Sequence, residues 1–111
     1  MNPDGFYIAY FTAELGNSIG IFVVKNEAII GADLGGGIYD GTFHVENDTA
    51  SGVVTFTSRT GGVAITGAES DLPVAYDVNF SFSLPLEGAG FHSLETLAGP
   101  INVKFEKVRE L

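Results

Sequence analysis

One pair of side chains in this sequence has a spacing that could suit a metal ion. His44 and Glu46 are two positions apart, a spacing that would place both on one face of a β-strand, where they could supply two metal ligands. A third ligand would have to come from Asp48 or His92, and no motif connects either residue to that pair. We therefore predict no metal site and interpret His44 as a surface histidine beside a solvated carboxylate.

The glycine-rich segment is the next candidate for chemistry. Gly35, Gly37 and Gly41 have the spacing of a variant dinucleotide-binding fingerprint, but that motif needs a following helix, and the residues here alternate like a strand. Asp33 and Asp40 flank the same turn, where carboxylates usually accept hydrogen bonds from backbone amides. No serine lies in a nucleophile elbow. The sequence thus predicts no cofactor and no enzymatic activity.

An acidic turn is the clearest candidate for binding. Glu46, Asn47 and Asp48 lie between two strongly patterned segments and are expected at the tip of a hairpin, fully presented to solvent. Carboxylates in that position would attract a basic surface on a protein partner. The alternative interpretation is an ordinary solubilising turn.

The elements that would position these residues are β-strands. β-Branched and aromatic residues dominate the sequence, its 15 glycines mark turns, and strong helix formers never run together. We predict a single all-β domain over residues 1–111 with about eight strands, which is typical of a sandwich or an antiparallel up-and-down barrel. Residues 63–65 are either a short strand or a loop. The predicted strands are 5–13, 18–25, 28–32, 36–46, 51–57, 74–84, 89–95 and 101–108.

The first two predicted strands carry apolar residues on both faces. One face would line the interior, and we expect the other face of the first strand to be covered by a second subunit, which predicts a homodimer. Eight-stranded barrels can also enclose one small ligand, so the alternative function is a carrier of small apolar molecules. The aromatic residues expected to face the interior and any ligand cavity are Tyr7, Phe11, Phe22, Phe43, Phe56 and Phe80.

The charge balance narrows the range of partners. Five basic and fourteen acidic residues give a net charge of -9, which repels phosphate backbones and anionic membranes, so we expect no direct binding to nucleic acid or membrane. Cysteine is absent, which excludes disulfides and thiolate sites. Since neither a signal-peptide pattern nor a membrane-spanning pattern is recognisable, we expect a cytoplasmic protein.

Short motifs follow one another through the first 45 residues: Asp4-Gly5-Phe6-Tyr7, Phe11, Gly20-Ile21, Ile30-Gly31-Ala32-Asp33 and Tyr39-Asp40-Gly41. In this order they resemble the GrlR-like family of bacterial proteins, named for a negative regulator of type III secretion. The most distinctive part is the G-x-D motif at 31–33, followed by a short spacer and the Y-x-G motif at 39–41.

The resemblance implies an eight-stranded calycin-like barrel of the lipocalin type. It further implies a homodimer that sequesters a positive transcriptional regulator through an acidic surface loop. The corresponding turn here is Glu46–Thr49, in which Glu46 and Asp48 preserve the negative charge. Our leading hypothesis is therefore a non-enzymatic regulatory module that acts by protein–protein interaction.

Overall fold

The computed structural model describes residues 2–14, 16–58, 74–88, 90–97 and 99–111. These residues form eight β-strands: β1 (Gly5–Ala13), β2 (Gly16–Lys25), β3 (Ala28–Asp33), β4 (Ile38–Glu46), β5 (Thr49–Ser58), β6 (Val74–Ser83), β7 (His92–Thr96) and β8 (Gly99–Glu110). All pairings are antiparallel, and the strand order is β6-β5-β4-β3-β2-β1-β8-β7. The prediction of an all-β, eight-stranded antiparallel barrel is confirmed. Residues 63–65 lie outside the described residues.

The sheet curls into a nearly closed barrel. Strand β1 pairs with both β2 and β8, so all eight strands form one continuous sheet. The sheet curls until its two end strands, β6 and β7, lie side by side. No strand pairing links β6 to β7 within the described part of the chain. Side chains span the gap instead: the ring centres of Phe82 and His92 are 4.6 Å apart. We call this gap the seam.

Two of the hairpins end in tight two-residue turns. Asn26 and Glu27 have φ values of 50° and 66° between β2 and β3, and Asn47 and Asp48 have 52° and 58° between β4 and β5. Two successive positive φ angles are typical of type I′ turns, whose twist matches that of the flanking strands. Asn and Asp adopt this conformation more readily than most residues. These turns therefore set the register of both hairpins.

Alternation along the strands directs a set of large apolar side chains into the barrel. Tyr39 lies at the centre of the set, with its ring 5.0 Å from Phe22, 5.2 Å from Phe56 and 6.1 Å from Phe11. Aromatic pairs at such distances contribute beyond their buried area. The buried apolar residues are Tyr7, Ala9, Phe11, Phe22, Val24, Tyr39, Phe43, Ala50, Phe56, Phe82, Leu86, Ile101 and Val103.

Several of the strand starts that differ from the predicted ones lie at or beside glycines. β4 begins at Ile38 and not at position 36, because the Asp33 amide donates to the Gly37 carbonyl, 3.0 Å away, and holds the glycine segment in a turn. β8 begins earlier than predicted, at Gly99, whose φ of 118° suits glycine at the end of a tight hairpin. The predicted start of β7 at 89 shifts to His92.

Candidate functional sites

The acidic tip comprises Glu46, Asn47 and Asp48 at the end of the β4–β5 hairpin. All three residues are exposed, as expected for a hairpin tip. Pairing continues to Glu46 opposite Thr49, so the turn proper consists only of Asn47 and Asp48. The Leu84 amide donates to the Asp48 carbonyl at 2.9 Å, which attaches the tip to the segment after β6. The backbone is thus held in place while the carboxylates point to solvent.

A second hairpin turn lies at the same end of the barrel. The Phe43 amide donates to the carbonyl of Glu27 at 3.0 Å, so the β2–β3 turn lies beside the part of β4 that leads to the acidic tip. Glu27 is exposed. The negative charge at this end therefore extends from the tip to a neighbouring turn.

The G-x-D and Y-x-G motifs meet in a closed hydrogen-bond network at the opposite end of β4. One carboxylate oxygen of Asp33 accepts hydrogen bonds from the amides of Gly35 and Gly37, each at 2.9 Å. The other oxygen accepts the hydroxyl of Tyr39 at 2.6 Å. Burial raises the pKa of the Tyr39 phenol, and the bond to Asp33 raises this pKa further. The prediction that Asp33 caps backbone amides is confirmed; Asp40 lies exposed on the outer face of β4.

Neighbouring atoms lie so close to Gly31 and Gly41 that only glycine fits at these positions. A Cβ on Gly31 would lie 2.3 Å from a ring carbon of Phe22, and one on Gly41 would lie 2.3 Å from the carbonyl oxygen of Val53. Neither space can accept a methyl group without displacement of a core ring or of the neighbouring strand. Asp33, Tyr39 and these glycines thus position the fold.

The Asp4-Gly5-Phe6-Tyr7 motif attaches the segment before β1 to the β2–β3 hairpin turn. Asp4 accepts a hydrogen bond from the Asn26 amide at 3.4 Å and lies 3.9 Å from the Lys25 ammonium. Tyr7 is fully buried, and its hydroxyl donates to the carbonyl of Pro3. These contacts hold residues 3–7 across the end of the barrel.

An uncharged apolar patch lies on the outer surface of β1 to β4. Its side chains meet across the strands, since Ile8 pairs with Ile21 and Val23 pairs with Ile30. Ile30 is 60% exposed and Ile21 is 52% exposed, so nothing in the described chain covers the outer side of the first strands. We call this patch the apolar face; it consists of Phe6, Ile8, Tyr10, Ile19, Ile21, Val23, Ile30, Ala32 and Ile38.

Charged side chains border the apolar face on both sides. The hydroxyl of Tyr10 donates to the carboxylate of Glu106 on β8 at 2.9 Å. On the other side, Ile30 pairs with Asp40 on β4. A charged rim around an apolar centre is the arrangement found in protein–protein interfaces.

The barrel interior contains an apolar cavity of about 80 Å³. All six aromatic residues that the sequence analysis placed inside point inward. Phe11, Phe22, Phe43, Phe56 and Phe80 line the cavity. Tyr7 is buried beside it, with the Lys107 ammonium 5.6 Å from its ring centre.

Four aromatic residues of the cavity wall were absent from the list of interior candidates. They are Tyr39, Tyr76, Phe82 and Phe105. The strand period of two residues could have identified Tyr39 and Phe105. Tyr39 is four positions from Phe43, and Phe105 is two positions from buried Val103, so each pair shares one face of its strand.

The two histidines have different surroundings. His44 is exposed on the outer face of β4, whereas His92 is half-buried and its Nε2 lies 2.9 Å from the carbonyl oxygen of Leu86. His92 also stacks against Phe82 at the seam. In the described ranges, no group of three acidic, histidine or cysteine side chains is arranged to hold a metal ion.

The comparisons with known proteins leave the family open. No family model matches the chain, and no curated protein and no solved structure is similar to it. The resemblance to the GrlR-like family therefore stays a prediction. Across the residues that the structure describes, no helix is long and apolar enough to cross a membrane.

Proposed function

We propose that this protein is a cytoplasmic, non-enzymatic regulatory module. It forms a homodimer through the apolar face and binds a protein partner, such as a transcriptional regulator, through the acidic tip. The exposed apolar face is the observation that carries this proposal. The resemblance to GrlR-like regulators supports a transcriptional regulator as the partner.

The size of the apolar face suits the centre of an interface. Four strands at a spacing of about 4.8 Å and five residues at about 3.3 Å each give a patch of roughly 14 by 17 Å. Apolar patches of a few hundred Å² are about the largest on ordinary monomers and are often functional. A stable interface needs about 800 Å² from each partner, so the charged rim would supply the remainder.

A second copy of the chain is the occupant that fits this face best. Homodimer interfaces are more apolar than those of transient complexes. The members of the face carry no formal charge, so two chains of net charge -9 could meet there without burying like charges. The rim contains both signs, since Lys104 and Glu106 lie on β8 beside Tyr10 and Ile8. Such a rim can pair with its own symmetry mate.

The acidic tip stays accessible in this arrangement. The apolar face lies on the side of the barrel, whereas the tip projects from one end of β4 and β5. A dimer would therefore present two tips, one from each subunit. Exposed carboxylates on a fixed hairpin favour a basic surface and accelerate encounter with it.

Analytical ultracentrifugation tests the dimer. The unmodified chain should sediment as a dimer at micromolar concentration, and Ile21→Glu and Ile30→Glu should each weaken dimerisation at least about a hundredfold, as expected for a central contact. Ser81→Glu adds the same charge on exposed β6 and should leave the dimer intact. Circular dichroism establishes that each variant is folded. A monomeric unmodified chain at high concentration would refute the dimer.

Co-purification from the native host tests the acidic tip. A double variant, Glu46→Lys with Asp48→Lys, should lose a partner that the unmodified chain retains in stoichiometric amount, as identified by mass spectrometry. Glu14→Lys with Glu95→Lys makes the same change of net charge at exposed positions near the other end of the barrel and should retain that partner. Equal retention by both double variants would overturn the role of the tip.

The carrier hypothesis has one observation in its favour, the apolar cavity. Its volume of about 80 Å³ is well below that of drug-sized ligand pockets, which measure roughly 300–1,000 Å³. A carrier of large ligands would need the barrel to expand. The cavity as it stands selects a much smaller molecule.

A further inference from the structure

The interior cavity is lined by side chains from every strand of the barrel. Its described lining is almost entirely hydrocarbon, with Tyr39, Tyr76 and Thr96 supplying the hydroxyl groups. The Tyr39 hydroxyl is already donated to Asp33, and Thr96 donates to the Gly99 carbonyl at 2.7 Å. A water molecule in the apolar part would find too few hydrogen-bond partners, since buried waters typically make about three hydrogen bonds.

The composition and size of the cavity define the class of ligand. A charged or strongly polar molecule would lose its hydration without compensation. An uncharged apolar molecule would displace little ordered water and gain dispersion contacts with the surrounding rings. The volume of about 80 Å³ is about half that of an engineered cavity of about 150 Å³ that binds benzene or xenon. The natural cavity therefore suits molecules smaller than benzene.

Among the gaps between neighbouring strands, the seam is the one with the fewest bonds to break. Every other neighbouring pair of strands is joined by a ladder of paired residues, whereas β6 and β7 are joined by side-chain contacts within the described residues. Phe82, Leu94 and Thr96 line the cavity and belong to the two seam strands. His92 stacks over Phe82, so movement of these rings would open a passage without breaking a strand pair.

We propose that the barrel binds one small, uncharged, apolar molecule smaller than benzene in this cavity, and that the molecule enters through the seam. The site extends the carrier hypothesis and is independent of the apolar face and the acidic tip. It remains available whether or not the chain dimerises.

Xenon is the first probe because it is apolar and small enough for the cavity. Titration with dissolved xenon, followed by methyl NMR, should show saturable binding of one atom per chain, with shifts at Val54, Val78 and Leu94. Ala50→Leu and Val78→Phe each add carbon atoms at the cavity wall and should weaken binding at least tenfold. Ser51→Leu adds a larger side chain at the neighbouring position of β5 and should bind xenon normally.

The xenon experiment has clear opposing outcomes. Absence of saturable shifts in the unmodified chain would overturn the site. Unchanged binding in the filled variants would place xenon elsewhere and overturn it as well. If one filled variant does not fold, the other decides the question, since the two changes lie on different strands.

Benzene tests the size limit. Phe80→Ala removes a ring from the cavity wall and should bind benzene at least tenfold more tightly than the unmodified chain, as measured by chemical-shift titration. Ser81→Ala, on the neighbouring position of the same strand, should behave like the unmodified chain. Equally tight benzene binding to the unmodified chain and to Phe80→Ala would show that the size limit is wrong.

Exchange kinetics test the access route. His92→Ala removes the ring that stacks over Phe82 and should speed xenon exchange severalfold while the affinity changes by less than about twofold. Ser93→Ala changes the next residue of β7, which is exposed, and should leave exchange unchanged. Equal exchange rates in both variants would exclude access at the His92 end of the seam.

Discussion

The two ends of β4 use carboxylates for different purposes. At its start, Asp33 is partly buried and accepts three hydrogen bonds from two glycine amides and the Tyr39 hydroxyl. At its end, Glu46 and Asp48 are exposed on a turn whose backbone is held by main-chain contacts. A partly buried carboxylate that accepts three hydrogen bonds stabilises the protein, whereas an exposed one can be reached by a partner.

The same chemical change at the two ends should separate these roles. Asp33→Asn removes the charge from three hydrogen bonds and is expected to lower the free energy of unfolding by about 2 kcal/mol. Asp48→Asn keeps a residue suited to positive φ and should change the free energy of unfolding by less than about 0.5 kcal/mol. Urea denaturation measures both. Equal losses would contradict the distinction between the two ends.

Loss of the Tyr39 hydroxyl should have a somewhat smaller effect. Tyr39→Phe keeps the ring within the aromatic cluster but deprives Asp33 of one donor, and we expect a loss of about 1.5 kcal/mol by urea denaturation. Tyr10→Phe is the matched control, because Tyr10 is exposed and its bond to Glu106 lies at the surface. An unchanged stability of Tyr39→Phe would show that the bond to Asp33 contributes nothing.

Alkaline pH should sharpen the comparison further. Burial and the bond to Asp33 raise the pKa of Tyr39 above the usual phenol value of 10.0. Its contribution to stability is therefore complete below pH 10 and falls above pH 10, where only the unfolded chain releases the phenolic proton. Between pH 10 and 11, ionisation of this phenol in the unfolded chain should lower the free energy of unfolding by about 1 kcal/mol.

Thermal unfolding at pH 9, 10 and 11 measures the alkaline effect. The unmodified chain should lose more stability over this interval than Tyr39→Phe, in which the phenol is absent. Burial also raises the pKa values of Tyr7 and Tyr76, but both residues are present in the unmodified chain and in Tyr39→Phe. Parallel curves for the two proteins would contradict the assignment to Tyr39.

The smallest expected effect concerns the acidic tip itself. Exposed carboxylates contribute little to stability, so Glu46→Gln should leave the free energy of unfolding within about 0.5 kcal/mol of the unmodified value. Its effect should appear in partner binding instead. A large loss of stability, measured by urea denaturation, would show that the tip belongs to the fold and not to an interface.

Particular elements show how far sequence reasoning reaches. β1 is predicted with its observed bounds, Gly5–Ala13, because turn residues flank an uninterrupted run of strand formers. The capping role of Asp33 is also predicted from its place beside a glycine-rich turn. The partnership between Asp33 and Tyr39 is not, because it depends on how β3 and β4 pair.

The sequence by itself determined the strand period, the turns and the acidic surplus. These follow from local chemistry: alternating side chains define two faces, and Asn, Asp and Gly favour the backbone angles of turns. In β1 and β2, however, both faces are apolar, so alternation cannot tell which one is buried. Closure of the barrel decided it, because only residues pointing toward the axis meet the other strands. Tertiary structure therefore created the apolar face and the cavity together, from the two sides of the same strands.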